Sequence, residues 1–494
     1  MVLSLAGLGS LVALGEGLRR LGVSERGTRR FVHAGVGVFV AAAPWIFGRP
    51  APLYVLAGLF VLANGTAKLR HALPGMHAAR PKSWGTVTFP LALFPALAMT
   101  WTVSPDRIPA LQVAFLVLAI ADPLAAWVGE RRPPTPDADE HGKTLAGSAA
   151  FAVSAAVITA AGLEALTSWP VGRIGMATLV VGVVGAAVEA IGTRGWDNLF
   201  VVLAVIVSLL AVEGVSAGLL FSSVGIGAAF AWLSWRTHTL TRSGALAGGL
   251  LAASLIGLGG WAWAVPGFAF FLLSSAISRL APSSNPDRPA GSADGPNDPQ
   301  PGRTLGQVLA NGGVGWACLL AAFAVPAESG APASFVLYAA FLGAFAAAAS
   351  DTWATELGTV ARTPPVSLRS FTRVPPGTSG AVSVRGTVAG GVGALVVAGL
   401  GGWTAAQAGA PVGIELQTFI PLVAVAGVAG MLADSLAGAT VQVRYRHPAD
   451  GTLVECPPTP TSPPHRGWRF MTNSAVNVIA TSTGALVAAL LVGA

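Results

Sequence analysis

Apolar runs of roughly 17–22 residues recur along the chain, each closed by a short polar break, and that length is what a helix needs to cross a bilayer. The pattern predicts helices over 2–18, 31–47, 51–67, 84–102, 109–129, 144–163, 173–191 and 197–213. It predicts a second set over 217–235, 242–259, 261–279, 304–324, 333–356, 384–402, 417–440 and 473–493. The expected fold is therefore an all-α polytopic membrane protein, with about sixteen transmembrane helices in two similar consecutive bundles, 1–215 and 216–494. Residues 281–303 are rich in Pro, Gly, Ser, Asp and Asn and read as a disordered cytoplasmic loop.

Composition agrees with this reading. Hydrophobic residues make up 53% of the chain and charged residues 10%, where a soluble domain carries about 25% charged. Met1 to Gly17 lacks a basic leader, so it reads as a first span and not a signal peptide. Two cysteines make neither a disulfide framework nor a zinc site. The net charge of +7 comes from basic residues that alternate between loops. Arg19 to Arg30, Lys68 to Lys82, Arg131 to Lys143, Arg194, Arg236 with Arg242, Arg279 to Arg303, Arg362 to Arg385 and Arg444 to Arg469 fall in every other loop. The positive-inside rule puts those loops in the cytoplasm and both termini outside, and it explains the charge without nucleic acid. The expected location is a bacterial inner membrane, with sites facing the cytoplasm.

The polar residues inside the apolar runs collect at that same expected level. Asp122 ends the fifth run, Glu189 the seventh, and Asp197-Asn198 open the eighth. Asp351 and Glu356 end the thirteenth, Asp434 lies near the end of the fifteenth, and Asn473 and Asn477 open the sixteenth. A carboxylate in mid-helix costs about 2.5–3.5 kcal/mol on insertion scales, so several at one depth call for a cationic partner. For any one of these residues, headgroup water is as good an explanation as a binding site; the shared depth favours a site for the set.

The two halves also run in parallel order. Asp122 precedes Lys143-Thr-Leu-Ala-Gly147-Ser148, as Asp351 and Glu356 precede Gly377-Thr378-Ser379-Gly380-Ala-Val-Ser383. A second acidic helix end and an amide-bearing helix start follow in each half. Oxygen ligands for a hard cation beside backbone and basic donors for phosphate are the inventory of a nucleotide–Mg2+ site. Gly142-Lys-Thr144 is not a Walker A motif, because Asp137 stands at the first glycine and no strand precedes it.

Residues 25 to about 213 resemble the CTP-dependent polyprenol kinases, the family of dolichol and phytol kinases. The residues that carry the likeness are Arg29-Arg-Phe-Val-His33, Ala121 to Gly129, Lys143 to Ser148, and Glu189 with Asp197-Asn198. Residues 217 to 494 resemble the transmembrane family that includes plant phytyl-phosphate kinase. Here the motifs are Thr241 to Gly248, Gln307 with Asn311-Gly, Ser350 to Gly358, Gly377 to Ser383, Asp434 to Thr440 with Gln442, and Asn473 with Asn477. The paired resemblance implies two successive phosphorylations of an isoprenoid alcohol, with CTP as donor and Mg2+ as cofactor. It implies metal ligation by Asp122, Glu189, Asp351 and Asp434, and catalytic roles for Asp122, Asp197, Asp351 and Glu356. Nucleotide contacts would come from Lys143, Gly147, Ser148, Asn198, Gly377, Thr378, Ser379, Gly380, Arg385, Asn473 and Asn477. The partners implied are a prenyl alcohol, its phosphate, a nucleotide and the membrane. Acidic helix ends serve a lipid cytidylyltransferase equally well, and repeated bundles also occur in transporters.

Overall fold

The computed structural model describes residues 2–70, 83–131, 143–193, 195–280, 302–325, 331–359, 364–376, 378–408, 414–448, 451, 453–459 and 462–493. These residues form two compact units, Met1–Leu220 and Phe221–Ala494. Of the expected loop 281–303, residues 281–301 lie outside the described residues, as does Gly377.

The first unit holds α1 (Val2–Arg20), α2 (Glu25–Ile46), α3 (Ala51–Leu69), α4 (Gly85–Met99), α5 (Ile108–Glu130), α6 (Leu145–Leu166), α7 (Val171–Ile191) and α8 (Asp197–Gly214). The second holds all but the first turn of α9 (Ala217–Arg236), then α10 (Arg242–Gly257), α11 (Gly260–Leu280), α12 (Leu305–Ala324), α13 (Ala331–Thr359), α14 (Val384–Gln407), α15 (Leu416–Thr440) and α16 (Asn473–Gly493). Two two-residue hairpins, Val366–Ser367 with Ala381–Val382 and Tyr445–Arg446 with Leu453–Val454, stiffen loops of the second unit. The protein is thus an all-α integral membrane protein.

Among the described residues, twelve helices are long and apolar enough to cross a membrane, fewer than the sixteen spans expected. The apolar helices α4 and α10 are shorter, at 15 and 16 residues. At 1.5 Å per residue they extend about 22–24 Å, short of a ~30 Å hydrocarbon core. Helix α2 begins earlier than the apolar pattern predicts, because Ser24 caps it by accepting from Gly27 N at 3.2 Å.

One helix is central in each unit. Helix α5 is packed by α2, α6 and α8, and Leu111 and Val113 to Phe115 are fully buried along it. Helix α13 is packed by α11, α12, α14, α15 and α16. Its segment Ala339 to Ser350 is almost wholly buried and mostly alanine, apart from Phe341, Leu342 and Phe345. Small residues let backbones approach closely where no hydrophobic gain separates protein from lipid. At Gly430 an added Cβ would stand 2.6 Å from Ala480 O, so α15 and α16 meet backbone to backbone. Each central helix carries its aspartate eight residues before its last residue, at Asp122 and Asp351.

Candidate active site

Both units build the same joint at the end of the central helix. In the first, Asp122, Ala125 and Gly129 lie at i, i+3 and i+7, on one helical face. The next helix starts against that face: Thr144 caps α6 by accepting from Gly147 N at 3.1 Å. A Cβ on Gly147 would stand 3.1 Å from Ala125 O and 3.7 Å from Gly129 Cα. In the second unit Asp351, Ala354 and Gly358 repeat the spacing, and Ser383 caps α14 by accepting from Gly386 N at 3.1 Å. A Cβ on Gly386 would stand 2.9 Å from Ala354 O and 3.5 Å from Gly358 Cα. A side chain at either position would crowd the facing carbonyl, so glycine lets the helices close at both crossings.

This geometry corrects the expected register of the repeat. The counterpart of Thr144-Leu-Ala-Gly147 is Ser383-Val-Arg-Gly386, and not the upstream segment Thr378 to Ser383. Thr378 and Ser379 do not start a helix. The Thr378 hydroxyl donates to Pro375 O at 2.7 Å, and the Ser379 hydroxyl donates to Gln442 Oε1. Gly380 has φ +75 and packs closely on Ala439 beside the end of α15. The aligned register also sets Val382 where the first unit has Lys143.

Around the first joint the predicted residues converge. Lys143 Nζ is ion-paired to Glu189 Oε1 and lies 3.7 Å from Asp197 Oδ2. The Ser148 hydroxyl donates to Glu189 Oε2 at 3.4 Å. Asp122 lies within the field of Asp197, His33, Lys143 and Arg29. His33 Nε2 donates to Leu118 O at 3.1 Å and sits 3.9 Å from Asp122 Oδ2. Pro123 lies inside α5 and leaves the Ala119 carbonyl, next to the one His33 reaches, without its i+4 donor. Lys143 stands outside the spans. Burial pulls its pKa down, but Glu189 and Asp197 pull harder the other way, and the net shift is upward. Asn198 is buried, and its amide donates to Gly85 O at 3.0 Å, which ties α8 to the start of α4.

The second joint gathers a different set. The Asp434 carboxyl group lies close enough to that of Asp351 for the two charges to interact. Asn477 lies 3.2 Å from Asn311 Oδ1. In the orientation that satisfies its surroundings, the Asn477 amide nitrogen donates to Asp434 Oδ1 at 3.3 Å and to Asn473 O at 3.0 Å. Gln442 is buried, and its amide donates to Asn473 Oδ1 at 3.2 Å. Glu356 is on a separate branch, where it accepts from the Ser278 hydroxyl at 3.0 Å, while Arg303 Nη2 stands 3.4 Å from the same hydroxyl. Arg385 is exposed on the first turn of α14. Ser278 carried no sequence signal, and only its position at the end of an apolar helix facing a glutamate would have marked it.

Among the described residues no group of three or more His, Cys, Asp or Glu is placed to hold a metal ion. Mg2+ bound with a nucleotide needs only one or two carboxylates, the rest of its shell being phosphate and water. The pair Asp351–Asp434 fits that mode, since a cation between two adjacent carboxyl groups offsets their repulsion.

The sequence profile of the integral membrane protein DUF92 family matches residues 225–485, more than half of the chain. The chain belongs to that family. The matched region falls within the second unit and contains Asp351, Asp434, Asn473 and Asn477. The chain is also similar to Protein PGR of Arabidopsis thaliana, 27% identical over 271 residues, which are 53% of this chain and 91% of that protein. Membrane protein MJ0933 of Methanocaldococcus jannaschii is 28% identical over 273 residues, 55% of this chain and 94% of that protein. No solved structure matches the chain.

Proposed function

We propose that the protein is a membrane-embedded phosphotransferase that adds phosphate twice to an isoprenoid alcohol. The first unit converts the alcohol to its monophosphate, and the second converts the monophosphate to the diphosphate. The observation that carries this reading is the duplicated joint, Asp-x-x-Ala-x-x-x-Gly against a capped Thr/Ser-x-x-Gly helix start. Carboxylates from a second helix come to each copy: Glu189 in the first unit and Asp434 in the second. The resemblance of the first half to CTP-dependent polyprenol kinases supplies the donor, and the resemblance of the second half to the phytyl-phosphate kinase family supplies the acceptor.

Phosphoryl transfer rests on positioning and charge neutralisation, so it needs no covalent intermediate. In the first unit Lys143 engages Glu189 and stands 3.7 Å from Asp197, so Asp122 would be the carboxylate that holds Mg2+, with Asp197 beside it. In the second, Asp351 and Asp434 take that part. When bound, the metal neutralises charge on the donor phosphates. Asp122 also lies close enough to His33 to orient a hydroxyl between them. Joining the two activities in one chain raises the effective concentration of the membrane-held monophosphate at the second site. The expected setting is a bacterial inner membrane, with both sites open to the cytoplasm, where nucleotide is available.

The test is to give the protein in nanodiscs a prenyl alcohol and CTP labelled at either the α- or the γ-phosphate, and to identify the lipid products. The reading expects γ-label in lipid monophosphate and diphosphate, with release of CDP. Transfer of α-label with pyrophosphate release would replace it with a cytidylyltransferase. Lipid or solute movement without nucleotide consumption would replace it with a transporter.

A further inference from the structure

The second unit contains a cavity of about 50 Å3 that none of the residues discussed above as carboxylate ligands lines. It lies among α10, α11 and α12, and Phe230 of α9 and Phe345 of α13 close it. Phe271, Phe268, Leu251 and Leu255 are among the remaining apolar lining residues. Its polar residues are confined to one side: Arg303, Gln307 and Asn311. Gln307 and Asn311 are spaced by four residues on one face of α12, and Arg303 lies just before its cap Thr304.

That row leads to the candidate active site. Asn311 lies 3.2 Å from the Asn477 amide, which reaches Asp434. Arg303 reaches the Ser278 hydroxyl, which donates to Glu356. An apolar wall lined with aromatic rings, with one guanidinium at its polar edge, is complementary to an amphiphile carrying an anionic head. Arg is well suited to a phosphate head because its planar fork can bond two phosphate oxygens at once.

We propose that this cavity seats the head-proximal part of the hydrocarbon chain of a lipid monophosphate, with the phosphate at the polar edge formed by Arg303 and Asn311, and that Leu251 and Gly312 set which chains fit. The proposal rests on the reading of the second unit as a lipid-phosphate kinase. Gly312 faces Leu251 closely, since a Cβ there would stand 2.9 Å from Leu251 Cδ2 and 3.9 Å from Phe345 Cζ. The cavity is small in this form, so it admits the first carbons of a chain, and the remainder lies toward the bilayer. Selection therefore acts on branching near the head more than on total length.

The test measures binding of two monophosphates to the full-length protein in nanodiscs: farnesyl monophosphate, branched near its head, and straight-chain dodecyl monophosphate. Gly312→Leu should weaken farnesyl monophosphate binding roughly tenfold or more, the scale on which pockets discriminate a few carbons, and weaken dodecyl monophosphate less. Leu251→Ala, which removes volume and spares the α12 backbone, should shift preference the opposite way. Arg303→Gln should weaken both lipids alike. A farnesyl monophosphate with a diazirine on its first isoprene unit should crosslink within α9 to α13. Unchanged chain preference in both size variants, or crosslinks outside these helices, overturns the cavity assignment while leaving the kinase reading intact. Failure of the wild-type protein to bind either monophosphate overturns both.

Discussion

Lys143 and Val382 occupy the same place in the two units, one residue before the cap of the helix that abuts the central one. The backbone joint around them is the same, with matching cap distances of 3.1 Å and matching glycine crossings. The electrostatics differ. The first unit balances its carboxylates internally, with Lys143 on Glu189 and near Asp197. The second puts two carboxyl groups side by side and meets Asp434 with an amide. A scaffold of small residues can thus be held constant while the charge arrangement at its end is changed.

The largest effect should come from the second unit. Asp434→Asn should slow diphosphate formation from supplied monophosphate by about two to three orders of magnitude, the usual cost of removing a group that stabilises transferred charge. Monophosphate formation from alcohol should be unaffected, as lipid product analysis would reveal. A comparable loss in both steps would erase the distinction drawn between the units.

Lys143→Ala should destabilise the first unit by about 3 kcal/mol, because it leaves Glu189 buried and charged without its ion-pair partner. Thermal unfolding in detergent measures this, and Lys143→Ala with Glu189→Gln should recover most of it. The sign of the pH dependence follows from the raised lysine pKa. Its stabilisation is present below the ordinary lysine value and is lost only as pH rises through the folded-state value, so it persists across neutral pH. If Lys143→Ala unfolds no more easily than wild type, the internal balance ascribed to the first unit is absent.

Gly147→Val and Gly386→Val should each cost about 1–3 kcal/mol by overpacking their crossings, and by similar amounts if the joints are equivalent. Thr144→Ala and Ser383→Ala should be milder, about 1 kcal/mol each, for loss of a helix cap. Unequal costs within either pair would show that the resemblance between joints is only local.

The helices were legible in the sequence because lipid imposes a length on every apolar run, and the acidic residues stood out against that background. The meeting of Lys143 with Glu189 also follows from helix order, since α6 and α7 return the chain to its starting end. The register of the repeat was not legible. In a chain with 62 glycines, Thr-Ser-Gly-Ala before Ser383 looks as much like Thr-Leu-Ala-Gly as Ser-Val-Arg-Gly does. Only the backbone approach of Gly386 to Gly358 decides between them. Asn311 and Asn477 are separated by 166 residues, and no local pattern announces their contact. Nor does helix length alone fix the number of spans, as α4 and α10 illustrate.

The division of labour is tested most directly by crossing two variants with two substrates. Asp122→Asn and Asp351→Asn proteins in nanodiscs are each given γ-labelled CTP with either a prenyl alcohol or its monophosphate. The account predicts that Asp122→Asn leaves the alcohol untouched but still converts monophosphate to diphosphate, and that Asp351→Asn stops at monophosphate. Diphosphate from Asp351→Asn at the native rate, or loss of both steps in Asp122→Asn with the protein folded, would contradict it.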